Sequence, residues 1–188
     1  MITVAVSLIL LLFLACFGFY WDSREKDWTT STGSTFVMDT FVDQKFSGKQ
    51  SGLAVEKINE LLKNFENRFS AYVSSSEISR INQNAGLSYI QVSEETFDFL
   101  KTAKEYCKRS QGLFDITIGP LVDLWDITGE NPRVPDEREI QSVLKRVNYE
   151  DLLLREEDHS VMLRQEGQKL NLGGMAKGTA GALAIETA

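Results

Sequence analysis

One histidine and two cysteines are all that 188 residues contain, and that scarcity removes several chemistries. A metal site built on a histidine cluster is excluded by count. His159 lies in the charged stretch 155–160 and reads as a solvated turn residue rather than a ligand or base. Cys16 falls in an apolar segment and Cys107 on a helical pattern, which gives no disulfide framework; Cys107 reads as an inert core thiol. Basic residues are also few: 20 Lys and Arg stand against 27 Asp and Glu, for a net charge of −7. No basic stripe appears, so nucleic acid is not an expected partner, because the phosphate backbone is bound by clustered Lys and Arg.

Charge is missing altogether from residues 1–21, a run rich in Leu, Val, Ile and Phe. Its length suffices to cross a bilayer once, and it lacks the polar face of a core helix. It reads as a membrane span, a signal peptide or a lipoprotein signal. The basic start of a signal peptide is absent. Leu14-Ala15-Cys16 partly resembles a lipobox, with Phe13 where Leu is usual. A retained anchor is the favoured reading, with lipidation at Cys16 next. The body is then expected outside the cytoplasm on the inner (cytoplasmic) membrane. Residues 22–34 read as a linker, ending in a Thr/Ser stretch, and 35–188 as the folded body.

What is present is 43% hydrophobic residues, enough for one domain core or part of a larger one. Residues 35–46 alternate as a strand. Residues 53–69 carry Ala54, Ile58, Leu61, Leu62, Phe65 and Phe69 on one face of a helix. The serine-rich loop 70–78 leads to a short helix ending near Asn82, and 89–92 is a short strand. Ser93 caps a helix to about Ser110, with Glu94 and Glu95 in its first turn and Lys108 and Arg109 in its last, matching the dipole. Residues 112–121 form an apolar run holding Asp115, which reads equally as a cap or as a functional carboxylate. Residues 121–125 continue it, and 136–147 is a helix. Three short strands, 151–155, 161–165 and 169–172, follow. The fold class expected is α+β, a mixed or antiparallel sheet with packed helices.

The last of these strands runs into Leu172-Gly173-Gly174-Met175-Ala176-Lys177-Gly178. Two glycines let the backbone approach a ligand closely. A helix start from about Met175, with Lys177 in its first turn, offers unpaired N–H groups and a positive dipole end. Together these suit an anion such as a phosphate or pyrophosphate.

Four blocks carry a family resemblance. Gly112-Leu113-Phe114-Asp115-Ile116-Thr117-Ile118-Gly119-Pro120-Leu121-Val122-Asp123-Leu124-Trp125 resembles the G-x-F-D-x-T-x-G-P-L-v-x-L-W signature of the ApbE-type flavin transferases. Phe36-Val37-Met38-Asp39-Thr40 is similar to their early M-G-T strand. Phe69-Ser70-Ala71-Tyr72 with Ser76-Glu77-Ile78-Ser79-Arg80-Ile81-Asn82 resembles their S-x-Y and S-E-I-s-r-l-N block, and 170–178 resembles l-D-L-G-G-i-A-K-G. The blocks stand in family order and cover the body from about Thr35.

The resemblance implies an ApbE-like, T-fold-related domain that binds FAD as substrate together with Mg²⁺. Its activity would be transfer of the FMN moiety onto a Thr or Ser hydroxyl of a target flavoprotein. By it, Met38, Tyr72, Leu113, Phe114, Asp115, Asn171 and Lys177 would contact FAD, and the Gly174 carbonyl would be a metal ligand. Two departures accompany it. Asn171 stands where the family has Asp, and Thr179 and Ala182 replace its usual Tyr and Asp. The family's proposed histidine base and the Asp/Thr metal group also lie beyond the position of Ala188, and His159 does not match them. The resemblance therefore implies an amino-terminal portion truncated at its C-terminus, with no catalytic residue of its own and inactive alone. The alternative it leaves is an FAD-binding module or an inactive, membrane-anchored remnant.

Overall fold

The computed structural model describes residues 12–18, 20, 28–127 and 129–187. The chain divides into two compact units, residues 1–60 with 187–188 and residues 61–186. Most of the hydrophobic start lies outside the described residues. Among the described ones no helix is long and apolar enough to cross a membrane, and Cys16 is exposed.

In the first unit, β1 (Thr29–Val37) and β2 (Thr40–Gly48) form an antiparallel hairpin in which Val37 pairs with Thr40 and Thr29 with Gly48. The sequence reads a linker up to Ser34 and a single strand after it. Instead Thr29–Ser34 belongs to β1, and the chain reverses at Met38-Asp39. Both turn residues hold left-handed backbone, with φ of 53° and 55°. A two-residue hairpin turn needs that geometry, and its usual signal is Asn-Gly or Asp-Gly. Met-Asp carries no such signal, so the strand pattern runs through it. Phe36 and Phe41 face each other across the hairpin, 5.1 Å apart edge to face and both exposed.

Helix α1 (Ser51–Phe69) begins in this unit. Its Val55 lies so close to the hairpin that a Cβ on Gly33 would come within 2.5 Å of Val55 Cγ1. Gln44 Nε2 donates to Asn59 Oδ1 at 2.7 Å.

The second unit holds the larger core. The rest of α1 contributes Leu62, Phe65 and Phe69, and Phe99 packs against both phenylalanines. Next come α2 (Glu77–Gln83), β3 (Ile90–Gln91) and α3 (Glu94–Arg109). Ser76 and Ser93 cap the two helices by accepting the N–H of Ser79 and of Thr96. The stripe Phe97, Leu100, Ala103 and Cys107 is fully or nearly fully buried, as the 3.6-residue spacing requires. Phe97 and Leu100 alone bring roughly 1.5–3 kcal/mol each from leaving water.

Helix α4 (Gly119–Trp125) follows, starting at the Gly-Pro pair where the sequence reads only apolar continuation. Proline at a first helical position loses no hydrogen bond. Helix α5 (Glu137–Leu144) opens with a reciprocal capping box between Asp136 and Glu139. Glu139 is held down to about 2, first by the Arg133 guanidinium and then by the Asp136 N–H.

Strands β4 (Leu152–Arg155) and β5 (Ser160–Leu163) pair antiparallel, and β3 joins on the other side of β5, giving the order β3-β5-β4. His159 sits at the turn before β5 with φ 49° and its ring 5.2 Å from Phe97, so it is half-buried rather than fully solvated. Gly86 closes the loop between α2 and β3. It has φ 78°, donates to Leu163 O at 2.8 Å, and a Cβ there would lie 2.5 Å from Glu166 N. Helix α6 (Gly173–Thr187) ends the fold. The mixed α+β class expected from the sequence is the one observed.

Candidate functional site

The stretch 169–172 is extended but joins neither sheet. Leu170 and Leu172 point into the core, 0% and 3% exposed, while Lys169 and Asn171, which alternate with them, are half-buried. Alternating side chains of extended backbone explain that pattern. On one margin the strip is pinned by backbone: Ile118 bridges Lys169 in parallel, Gly119 N–H donates to Lys169 O at 3.0 Å, and Asn171 N–H to Ile116 O at 2.8 Å. On the other margin the partner is a side chain. Asn82, near the end of α2, accepts from Leu170 N–H at 2.7 Å and donates to Leu170 O at 3.1 Å.

The strip turns into α6 through an Asx turn, with Asn171 Oδ1 accepting Gly173 N–H at 2.9 Å. Leu172 O takes both Met175 N–H and Ala176 N–H at 2.9 Å. The Gly174 N–H has no partner among the described residues, and Gly173 and Gly174 are exposed. The helix starts two residues earlier than its pattern suggests. Lys177 therefore sits one turn up, exposed, on the face of Gly173 and Gly174 by helical spacing.

Phe114 leans against the bend so closely that a Cβ on Gly174 would meet Phe114 Cε2 at 2.9 Å. Leu113 beside it is 94% exposed. Tyr72, 56% exposed, places its hydroxyl 3.4 Å from Asn171 Nδ2. Lys169 Nζ lies 5.2 Å over the Tyr72 ring and grips both carboxylate oxygens of Asp123 at 2.8 and 2.6 Å. One open amide, an aromatic wall and the exposed Lys177 ammonium make this corner hospitable to an anion that carries a flat ring, the Lys169 charge being paired with Asp123.

Asp115 is occupied from within. Its Oδ1 accepts Thr117 N–H and Thr117 Oγ1, both at 2.7 Å, and its Oδ2 accepts Tyr149 N–H at 2.9 Å. Thr117 Oγ1 in turn accepts Asn148 N–H at 2.8 Å. Asp115 and Thr117 thus tie the 114–118 loop to the turn at 148–149, while the N-cap position of α4 is Ile118, which makes no side-chain cap.

The structure gathers Tyr72, Phe114, Asn171 and Gly174 around one bend, with Leu113, Asp115 and Lys177 on the adjoining segments. Met38 belongs to the first unit, half-buried in the hairpin turn. Sequence reasoning assigned no separate role to Asn82, Glu77 or Lys169. Glu77 joins α2 to the start of α3, accepting Ser93 N–H at 2.9 Å, Ser93 Oγ at 2.8 Å, and Thr96 Oγ1. Burial alone would raise its carboxyl. The hydroxyls of Thr96 and Ser93, the Ser93 N–H and the charge of Arg68 outweigh burial and hold it below the ordinary range.

A hard cation such as Mg²⁺ wants near-octahedral oxygen ligands, commonly with one or two carboxylates. Asn171 Oδ1 is taken by Gly173, and a first-turn carbonyl such as that of Gly174 points toward the N–H four residues on. Among the described residues no group of three His, Cys, Asp or Glu is placed to hold a metal ion. The residues present at the bend do not fit Mg²⁺ as a self-sufficient site.

An α+β domain with an exposed glycine pair opening its last described helix is the class that this geometry defines. A family model described as "ApbE family" matches residues 38–188, and the chain belongs to that family. It is 33% identical over 145 residues to the FAD:protein FMN transferase of Klebsiella pneumoniae (strain 342), covering 77% of this chain and 46% of that protein. To the FAD:protein FMN transferase of Treponema pallidum (strain Nichols) it is 31% identical, covering 66% and 36%. The crystal structure of the ApbE protein from Thermotoga maritima MSB8 superposes with a TM-score of 0.79 at 31% identity, over 85% of this chain and 52% of that one. The flavin transferase ApbE from Vibrio cholerae shares the fold at 24% identity and a TM-score of 0.75, over 85% and 53%. The chain thus spans about half or less of the length of these relatives.

Proposed function

We propose that this chain takes part in FAD:protein FMN transfer, holding the FAD pyrophosphate at the bend before α6. In that reaction a Thr or Ser hydroxyl oxygen of a target flavoprotein attacks the FMN-side phosphorus. The bond to the AMP oxygen breaks, AMP leaves, and a base takes the hydroxyl proton. The observation that carries the reading is the exposed, unpartnered Gly174 N–H at the positive end of a helix, walled by Phe114. Family membership and the names of the relatives support it. Met38, Tyr72, Leu113, Phe114, Asp115, Asn171 and Lys177 are the proposed FAD contacts. The reading includes Mg²⁺, which the family resemblance implies; the Gly174 carbonyl named for it runs along α6, so this bend does not by itself supply the ion's site. The reading also includes tethering by residues 1–21 to the cytoplasmic membrane with the body outside.

The test is incubation of the chain with FAD, MgCl₂ and a Thr-containing acceptor protein, following flavin fluorescence on the denatured acceptor and AMP release. Covalent flavin with stoichiometric AMP would carry the proposal in full and would overturn the expectation that this chain is inactive alone. A chain that neither retains FAD in equilibrium dialysis nor releases AMP would overturn the proposal. A second reading, FAD held without transfer, is favoured by the lack of a carboxylate cluster among the described residues and by Asn171 in place of Asp. FAD retention without AMP release would select it.

A further inference from the structure

We propose that Asn82 is a positioning residue for the nucleotide site, setting the height of the bend by standing in for a missing neighbouring strand. The proposal rests on the reading that FAD is held at that bend. Leu170 is 0% exposed, so its N–H and C=O lie where water cannot satisfy them. On the margin of the strip away from Ile116–Gly119 the described residues supply no backbone partner; the Asn82 carboxamide supplies both bonds, at 2.7 and 3.1 Å. A carboxamide carries the same donor and acceptor as a peptide group. Leu has neither, Asp at neutral pH has no donor, and Gln reaches one methylene too far.

The support behind Asn82 is rigid. Ile78 and Ile81 of α2 are 0% and 1% exposed, Ser76 caps the helix, and Glu77 fastens its start to α3. The next residue after Leu170 forms the Asx turn, and the open Gly174 amide lies three further on. A shift of Leu170 is therefore passed directly to the groups offered to the phosphate.

The experiment compares the wild-type chain with Asn82→Leu and Asn82→Asp by amide NMR with hydrogen exchange and by equilibrium dialysis with FAD. In Asn82→Leu, which loses both bonds to Leu170, the Leu170 amide should lose about tenfold or more of its protection, and FAD should bind about tenfold more weakly. The Gly173 and Gly174 resonances should move, while those of Val161 and Leu163 in β5 stay. Asn82→Asp should be defective at neutral pH, where a carboxylate faces the Leu170 carbonyl, and should recover on acidification, because a protonated acid again both donates and accepts. Lys169 with Asp123, and Asp115 on the neighbouring loop, are the charged groups flanking the strip, so wild type is titrated alongside.

Unmoved Gly173 and Gly174 resonances in Asn82→Leu, or no acid recovery in Asn82→Asp, would overturn the positioning role. If Asn82→Leu does not fold, the pH series of Asn82→Asp decides. Failure of the wild-type chain to retain FAD would instead sink the functional reading, leaving Asn82 to be judged on the resonances alone.

Discussion

Replacing Glu77 should loosen the second unit measurably. The carboxylate takes Ser93 N–H, Ser93 Oγ and Thr96 Oγ1, and Thr96 is completely buried. Hydrogen bonds to a charged group contribute about 1.5–3 kcal/mol in dry surroundings. Glu77 is half-buried, and Thr96 Oγ1 keeps a 3.1 Å bond to Ser93 Oγ without it. Taking the low end, Glu77→Ala should cost about 2–3 kcal/mol and Glu77→Gln about 1 kcal/mol. With an m-value of about 1–3 kcal/mol per molar in urea, the Ala midpoint should fall by about 1 M or more.

The pH dependence gives a second check. The folded carboxyl lies below its ordinary value of 4.5. Its contribution is therefore fully present above the unfolded value and is lost as pH falls through the lower, folded one. The gap between wild type and Glu77→Ala should be wide at pH 7 and shrink below about pH 4. A midpoint shift under about 0.3 M, or a gap as wide in acid as at neutrality, would refute the reasoning.

Gly174→Ala should change stability by less than about 1 kcal/mol, since the helix propensity gained offsets displacement of the Phe114 ring. The same change should raise the FAD dissociation constant about tenfold in dialysis, because the methyl group crowds the open amide. Gly86→Ala should cost about 3 kcal/mol by urea denaturation. Its left-handed φ of 78° penalises a side chain, and the 2.5 Å approach to Glu166 N forces backbone to move. Asp39→Gly should stabilise the hairpin by about 0.5–1 kcal/mol, read as a raised melting temperature, because glycine adopts the φ of 55° without penalty.

Helix α1 was legible from its periodicity, and α3 because periodicity, a capping serine and end charges all agree there. The strand-turn-helix passage around Gly173 and Gly174 was legible for a similar reason: L-N-L followed by two glycines admits few conformations. The hairpin was not, because Met38 and Asp39 adopt left-handed backbone without the residues that announce it. Helix α4 was hidden because an apolar seven-residue run has no polar face to reveal its period. Strip 169–172 reads as a third short strand, but it joins neither sheet, and its side-chain partner could not be foreseen. A carboxamide pairing with backbone 88 residues away leaves no trace in local patterning. The partners of Asp115, Thr117 and Tyr149, were equally hidden, because Tyr149 lies 34 residues away in sequence.

Because the strip is fastened along both margins, lesions on opposite flanks should not behave independently. A change at Asn82 and one in the Ile116–Gly119 backbone would each leave the ribbon hinged on the other side; together they free it. Such pairs are expected to be epistatic, with the double variant losing more than the two single losses combined. Drift in this lineage would accordingly be slow at both flanks at once, even where neither flank touches a ligand.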